Sequence, residues 1–134
     1  MTVQSDLCSV PASVVLLTYN QEAFVKEALQ SLLDQDYEDL EIVVSDDGSK
    51  DGTWPIVTAL ASTYSGSKKI ILNRNPTNLG IGGNYAKAFS LTRGDVVFSA
   101  AGDDVSLPSR CSASVASWQE TGMKVDLVAT DAFD

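Results

Sequence analysis

The 134-residue chain contains no histidine and only two cysteines, Cys8 and Cys111. Without histidine it cannot form a Ser-His-Asp or Cys-His nucleophilic site, and zinc loses its usual nitrogen ligand. The two cysteines lie far apart and show no metal-ligand spacing, so we interpret both as free thiols. Carboxylates are therefore the main candidates for chemistry, and hard oxygen ligands of this kind suit Mg²⁺ or Mn²⁺.

Basic residues and long apolar runs are also scarce. Nine Lys and Arg against 18 Asp and Glu give a net charge of −9, which argues against binding to a nucleic-acid backbone. No run approaches the roughly 18 apolar residues of a membrane helix, so we predict no transmembrane segment. The opening MTVQSDLCSVPAS lacks the regions of a secretory signal. We expect a flexible leader over 1–11 and a cytoplasmic protein, peripheral at the inner face of the membrane if it associates with one.

Strand and helix patterns alternate along residues 12–134. The predicted strands cover 12–19, 40–45, 69–73, 95–100 and 125–130. The predicted helices cover 24–33, with Asn20 as a cap, 54–64, 84–92 and 107–120. This order predicts an α/β fold with a doubly wound, mostly parallel sheet and helices on both faces.

Polar segments follow the predicted strands, at the edge of the sheet where ligands bind in such folds. They are TYN (18–20), SDDGS (45–49), NRNPTNLG (73–80) and AAGDDV (100–105). The topology alone predicts that they converge. Tyr19 is either a stacking surface for a base or a core residue, and Arg74 is either a surface charge or a phosphate contact.

Two adjacent aspartates, Asp46 and Asp47, end the second predicted strand. One interpretation is turn chemistry, with Ser49 or Asp51 capping the following helix. The other is that a carboxylate accepts hydrogen bonds from a base N–H or a ribose hydroxyl, because an ionised carboxylate only accepts. The sequence leaves both open.

A second pair, Asp103 and Asp104, follows the fourth predicted strand. A helix cap near Pro108 would use one aspartate and leave the other unexplained. A divalent ion held by one or two carboxylates and completed by substrate phosphates accounts for both. The stretch NLGIGG, starting at Asn78, resembles a phosphate-cradling loop, but its spacing matches neither common motif, so a flexible loop is the other interpretation.

Taken in order, these motifs resemble family 2 inverting glycosyltransferases with the GT-A fold. The resemblance covers about residues 12–131 and is carried by VVLLTYNQEAFVKEALQSLLDQDYEDLEIVVSDDGSKDGT, the NLG segment and VVFSAAGDDVSLPSR. It implies a GT-A, Rossmann-like fold and a nucleotide-diphosphate sugar, UDP- or dTDP-linked, as donor. It further implies Mn²⁺ or Mg²⁺ as cofactor. The sugar would be transferred with inversion to a hydroxyl of a glycan, a lipid-linked glycan or a protein, in cell-envelope polysaccharide biosynthesis.

The resemblance also assigns individual residues. Asp46 and Asp47 match carboxylates that contact the base, and Asp103 and Asp104 match the end of the DxD metal motif, with Asp104 the first choice as ligand. The nucleotide-sugar site implied in this way comprises Thr18, Tyr19, Asn20, Asp46, Asp47, Asn78, Gly80 and Asp103.

The chain departs from the family pattern in two places. Ala101 replaces the usual first aspartate of the metal motif, and GNYA (83–86) stands where ARN is common, which leaves Asn84 without an assigned role. The family's general base follows the strand predicted over 125–130, so we expect it beyond Asp134. The chain is therefore expected to be the donor-binding half and to turn over poorly.

Two other classes of protein are alternatives to a glycosyltransferase. A receiver-like phospho-acceptor domain would carry its acids after the first and third strands and a lysine after the fifth, whereas here the acids follow the second and fourth. A non-catalytic nucleotide-binding or scaffolding α/β module remains the alternative.

Overall fold

A computed structural model describes residues 10–120, in which four strands alternate with four helices. The strands are β1 (Ala12–Thr18), β2 (Leu40–Asp46), β3 (Lys69–Arg74) and β4 (Val96–Ala101). The helices are α1 (Val25–Leu33), α2 (Thr53–Thr63), α3 (Gly80–Ser90) and α4 (Arg110–Glu120). The predicted alternation is confirmed over this range, while the strand predicted over 125–130 and residues 1–9 of the leader lie outside the described residues. Within that range, no helix is long and apolar enough to cross a membrane.

The strands form one parallel sheet in the order β3-β2-β1-β4. The direction of strand addition reverses at β1, because β2 and β3 lie on one side of it and β4 lies on the other. The register pairs Thr18 with Asp46 and Asp46 with Arg74, while Leu17 pairs with Ala101. The carboxyl ends of all four strands therefore meet at one edge, and the reversal point there is where ligands bind in such sheets.

Helices cover both faces of the sheet. Leu16 of β1 belongs to the core cluster that includes residues of α1, α2 and α4, whereas its neighbour Val15 packs in a second cluster with Ala88 of α3. Leu16, Val15 and Ala88 are all fully buried. Because β1 is buried on both faces, its apolar run is continuous rather than alternating. The predicted α/β/α arrangement is confirmed.

The first loop corrects one prediction. Asn20 does not cap α1, which begins at Val25; it adopts a left-handed conformation with φ of 49°, and its side-chain oxygen accepts the N–H of Lys50 at 2.8 Å. Asparagine tolerates this region better than most residues do. Asn20 therefore joins the loop after β1 to the loop after β2.

Two helix starts also differ from the prediction. Helix α3 begins at Gly80 rather than at 84, so the flexible-loop interpretation of NLGIGG is wrong. Helix α4 begins at Arg110 rather than at 107, because the Leu107 carbonyl accepts the amide of Gln35 at 2.7 Å as well as the Arg110 N–H at 3.0 Å. Residues 107–109 therefore form a turn that is held against the segment after α1.

Candidate functional site

A pocket of about 280 Å³ opens at the carboxyl edge of the sheet. Its lining comprises Thr18, Tyr19, Asp47, Asn78 and Gly80, all predicted site residues, together with Leu17, Ile81 and Asn84. Three of the four polar segments predicted to converge therefore meet here, while AAGDDV (100–105) does not contribute to the lining. Asn20, Asp46, Asp103 and Asp104 are not part of this lining.

Asp46 is fully buried and held by its own chain. Its Oδ1 accepts the hydroxyl of Thr18 at 2.7 Å and that of Ser49 at 2.6 Å, and its Oδ2 accepts the Ser49 N–H at 2.8 Å. The guanidinium Nε of Arg74 lies 3.7 Å from Oδ2. Three of the roughly four lone-pair positions of this carboxylate accept hydrogen bonds, and the residue is fully buried and does not line the pocket, so a ligand there does not reach Asp46.

Asp47 is also buried but faces the pocket. Its Oδ1 accepts the Asn75 amide at 2.9 Å and the Leu79 N–H at 2.8 Å, and its Oδ2 accepts the Gly80 N–H at 3.0 Å. The carboxylate thereby satisfies N–H groups at the first turn of α3, which is why that helix begins early. One acceptor position remains on Oδ2, and unlike Asp46 this residue lines the pocket.

The loops after β1 and β2 are bonded to each other. The Asn20 N–H donates to the Ser49 hydroxyl at 2.9 Å, the Gln21 N–H to the Thr53 hydroxyl at 2.7 Å, and the Glu22 N–H to Asp51 at 3.3 Å. Burial acts to raise the pKa of Asp51, but hydrogen bonds from the hydroxyl and N–H of Thr53 and the N–H of Glu22 bring the pKa below its ordinary value. Asp51 therefore supports this junction as an anion.

Asp103 and Asp104 lie beside this junction, on the loop after β4. Asp103 is exposed and Asp104 half-buried, and neither carboxylate accepts a hydrogen bond or forms an ion pair with any residue between 10 and 120. Neither caps a helix, so the capping interpretation is not supported. In the described part of the chain no three His, Cys, Asp or Glu side chains are grouped as a metal site. The pair fits a cation that is completed by ligand oxygens.

Gly102 brings the acidic loop close to β1. Its N–H donates to the Leu17 carbonyl at 2.9 Å, and a Cβ at this position would lie 2.3 Å from Gln21 Oε1 and 3.3 Å from Thr18 Cγ2. No larger residue fits without moving the Gln21 side chain. The glycine therefore sets how closely Asp103 and Asp104 approach the pocket wall.

The sequence left two interpretations open for each of Tyr19 and Arg74, and the structure shows where both side chains lie. Tyr19 is 42% exposed and lines the pocket, so it is not a core residue. Arg74 donates to the Ser49 carbonyl at 2.7 Å and places its guanidinium 5.8 Å from the Trp54 ring centroid. Together with its ion pair to Asp46, these contacts make Arg74 a support of the loop after β2.

Four polar residues at the site were given no individual role from the sequence. Ser45, Asn73, Asn75 and Asn84 form hydrogen bonds to one another under Asp47. Ser45 and Asn73 lie near the ends of β2 and β3, Asn75 follows β3 and Asn84 lies on α3, and the four asparagines within 73–84 were the available signal. The pairing itself joins residues up to 39 positions apart, which no local pattern shows.

Comparison with known proteins gives a consistent result. The family model described as Glycosyl transferase family 2 matches residues 13–134. EpsE of Bacillus subtilis (strain 168), named as a glycosyltransferase, is 36% identical over 104 residues, which are 78% of this chain and 37% of EpsE.

Two solved structures share the fold. The structure of S. aureus TarS in complex with UDP has a TM-score of 0.72 and 30% identity, covering 81% of this chain and 32% of that one. The mannosyltransferase PcManGT from Pyrobaculum calidifontis, in complex with GDP-Man and Mn²⁺, has a TM-score of 0.70 and 28% identity, covering 76% and 30%. The chain thus spans about a third of the length of these proteins.

Proposed function

Because the chain belongs to glycosyl transferase family 2, we propose that residues 12–134 form the donor-binding half of an enzyme that transfers a sugar from a nucleotide-diphosphate sugar to an acceptor hydroxyl. The observation that carries the proposal is the pocket at the strand-reversal point, with the free acceptor position of Asp47 on one side. Beside it lie Asp103 and Asp104, two carboxylates that have no partner among residues 10–120. Binding of UDP by TarS and of GDP-Man by PcManGT supports a nucleotide sugar as donor.

In this proposal, different pocket residues make different contacts with the nucleoside. The remaining position on Asp47 Oδ2 accepts an N–H of the base, and uracil and thymine both present one, which suits a UDP- or dTDP-linked donor. Tyr19 provides an exposed ring against which a base can stack. Asp46 does not reach the ligand in this assignment; it holds Thr18 and Ser49 in place instead. The side chains of Asn20 and Asn78 hold the loops around the pocket, and the N–H of Gly80 holds the Asp47 carboxylate.

We assign the diphosphate side of the site to Asp103 and Asp104. They would hold Mn²⁺ or Mg²⁺, which when bound offsets the negative charge of the diphosphate and of the departing nucleotide. The Mn²⁺ in the PcManGT complex supports this assignment. With a net charge of −9, the chain needs such a cation to attract a diphosphate. Ala101 contributes no ligand, so the two aspartates carry the site.

Transfer with inversion requires a general base that deprotonates the acceptor hydroxyl as it attacks the anomeric carbon. In our assignment Asp46 and Asp47 hold the pocket, and Asp103 and Asp104 hold the cation. The family resemblance implies that the base follows the strand predicted over 125–130, and on that ground we place it after Asp134. The chain on its own then binds donor but turns over poorly. A cytoplasmic location and a role in cell-envelope polysaccharide synthesis stay predictions.

Calorimetry with UDP and dTDP, each with and without Mn²⁺, tests the proposal. We expect binding that depends on the metal and is lost in Asp104→Ala. Asp95→Ala is the matched control, because Asp95 is an exposed aspartate at the opposite edge of the sheet. Absence of nucleotide binding under every metal condition would remove the proposal, and sugar transfer by the 134-residue chain would refute the donor-half assignment.

A further inference from the structure

We propose that Asn84, acting through Asn75, is a positioning residue that fixes the orientation of the Asp47 carboxylate in the pocket. The role of Asp47 in ligand binding rests on the proposed function, whereas the geometric claim does not. Asn84 lies on α3 and is 3% exposed. It is the residue to which the family resemblance assigned no role.

Asn84 belongs to a closed ring of four hydrogen-bonded side chains. Its Oδ1 accepts the Ser45 hydroxyl at 2.6 Å and the Asn75 amide at 3.0 Å. The amide of Asn73 closes the ring, because it donates to the Ser45 hydroxyl at 2.9 Å and to Asn75 Oδ1 at 3.0 Å. The ring therefore connects β2, β3, the residue after β3, and α3.

Asn75 links the ring to the pocket. One hydrogen of its Nδ2 points to Asn84 Oδ1 and the other to Asp47 Oδ1, at 3.0 and 2.9 Å. The two hydrogens of a planar amide have a fixed angle between them, so the acceptor on Asn84 determines where the other hydrogen points. Without Asn84 the Asn75 amide keeps only the contact with Asn73 to fix its plane, so its hydrogen bond to Asp47 is weakened.

The surroundings make this link strong. Ser45, Asn75 and Asn84 are each at most 3% exposed, so water cannot easily replace a lost partner. Asn84 is fixed a second time, since its Nδ2 donates to the Ser45 carbonyl at 3.0 Å. The ring therefore holds Asn75 in place, and Asn75 in turn holds one oxygen of the Asp47 carboxylate.

Amide hydrogen exchange at Leu79 and Gly80, measured on the ligand-free 134-residue chain, reads out this link directly, because both N–H groups donate to Asp47. We expect about 5–10-fold faster exchange at both sites in Asn84→Ala, the size of one lost hydrogen bond. In an Asn75→Ala background, Asn84→Ala should add nothing further. The UDP affinity in the presence of Mn²⁺ should fall by a similar factor of about 5–10.

Gln35→Ala is the matched control. Gln35 is a buried amide that bonds Leu107, Cys111 and Ser31 but not Asp47, so its loss should lower overall stability without a selective effect at Leu79 and Gly80. If Asn84→Ala does not fold, Asn73→Ala opens the same ring from a half-buried position and should accelerate the same two amides.

Exchange in Asn84→Ala equal to that in the control, or acceleration that adds to that of Asn75→Ala, would overturn the inference. A wild-type chain that binds no UDP would overturn the proposed function instead, and the exchange measurement would still decide the role of Asn84. The two failures are therefore distinguishable.

Discussion

The Thr18 hydroxyl donates a 2.7 Å hydrogen bond to Asp46 Oδ1, and this contact joins the ends of β1 and β2 beneath the site. Asp46→Asn keeps the shape of the side chain but removes the charge and one acceptor from a fully buried position. We expect the free energy of unfolding to fall by roughly 1.5–3 kcal/mol, as for hydrogen bonds to charged groups. Urea denaturation measures it, with Asp103→Asn as the exposed control on the same edge. Equal stability of the two variants would contradict the structural role of Asp46.

Asp47 is predicted to contribute directly to the affinity for UDP. Asp47→Asn replaces an acceptor with a group that donates, opposite both the pocket and the N–H of Gly80. We expect UDP affinity to fall at least about tenfold, within the range for a hydrogen bond to a charged group. A competition titration in the presence of Mn²⁺ measures the change, and Asp95→Asn should leave the affinity unchanged. Unchanged affinity in Asp47→Asn would rule out its direct contact with the base.

Two glycines are expected to respond in opposite directions to the same change. A Cβ at Gly94 would lie 2.6 Å from backbone atoms of Ala12 and Ser13, whereas a Cβ at Gly82 in α3 would meet nothing within 4 Å. Gly94→Ala should therefore cost about 1–3 kcal/mol. Gly82→Ala should stabilise the helix by up to about 1 kcal/mol. Thermal unfolding of both variants measures the two changes. A Gly94→Ala variant as stable as the wild type would contradict the close approach of Gly94 to the backbone of Ala12 and Ser13.

Cys111 should make stability depend on pH in the alkaline range. Burial raises the pKa of its thiol to about 12 from 9.0, so the folded state holds the proton between these values while the unfolded chain releases it. The thiol's contribution is present below pH 9 and is lost as the pH rises toward 12. The comparison is between the Cys8→Ser variant and the Cys8→Ser, Cys111→Ala double variant. The difference in their free energies of unfolding should therefore shrink between pH 8 and pH 10. A constant difference would contradict burial of the thiol.

The sequence predicted the family and the α/β fold, and both are confirmed. Strand β1 was placed to within one residue, because a run such as ASVVLLT is apolar enough to be buried on both faces. The start of α3 was misplaced because the carboxylate that satisfies the N–H of Gly80 comes from Asp47, 33 residues away. The same non-local pairing hid the ring around Asn84. Patterns along the chain predict which segments meet, but not which side chains bond when they do.

The site in this account has two parts, a nucleoside pocket around Asp47 and a cation held by Asp103 and Asp104. Paramagnetic broadening of amide signals by Mn²⁺ in the presence of UDP tests this most directly, because broadening marks the position of the ion. We expect selective broadening at Gly102, Asp103 and Asp104, and its loss in Asp104→Ala. Broadening confined to the acidic residues at the opposite edge, Glu38 and Glu41, or none at all, would contradict it.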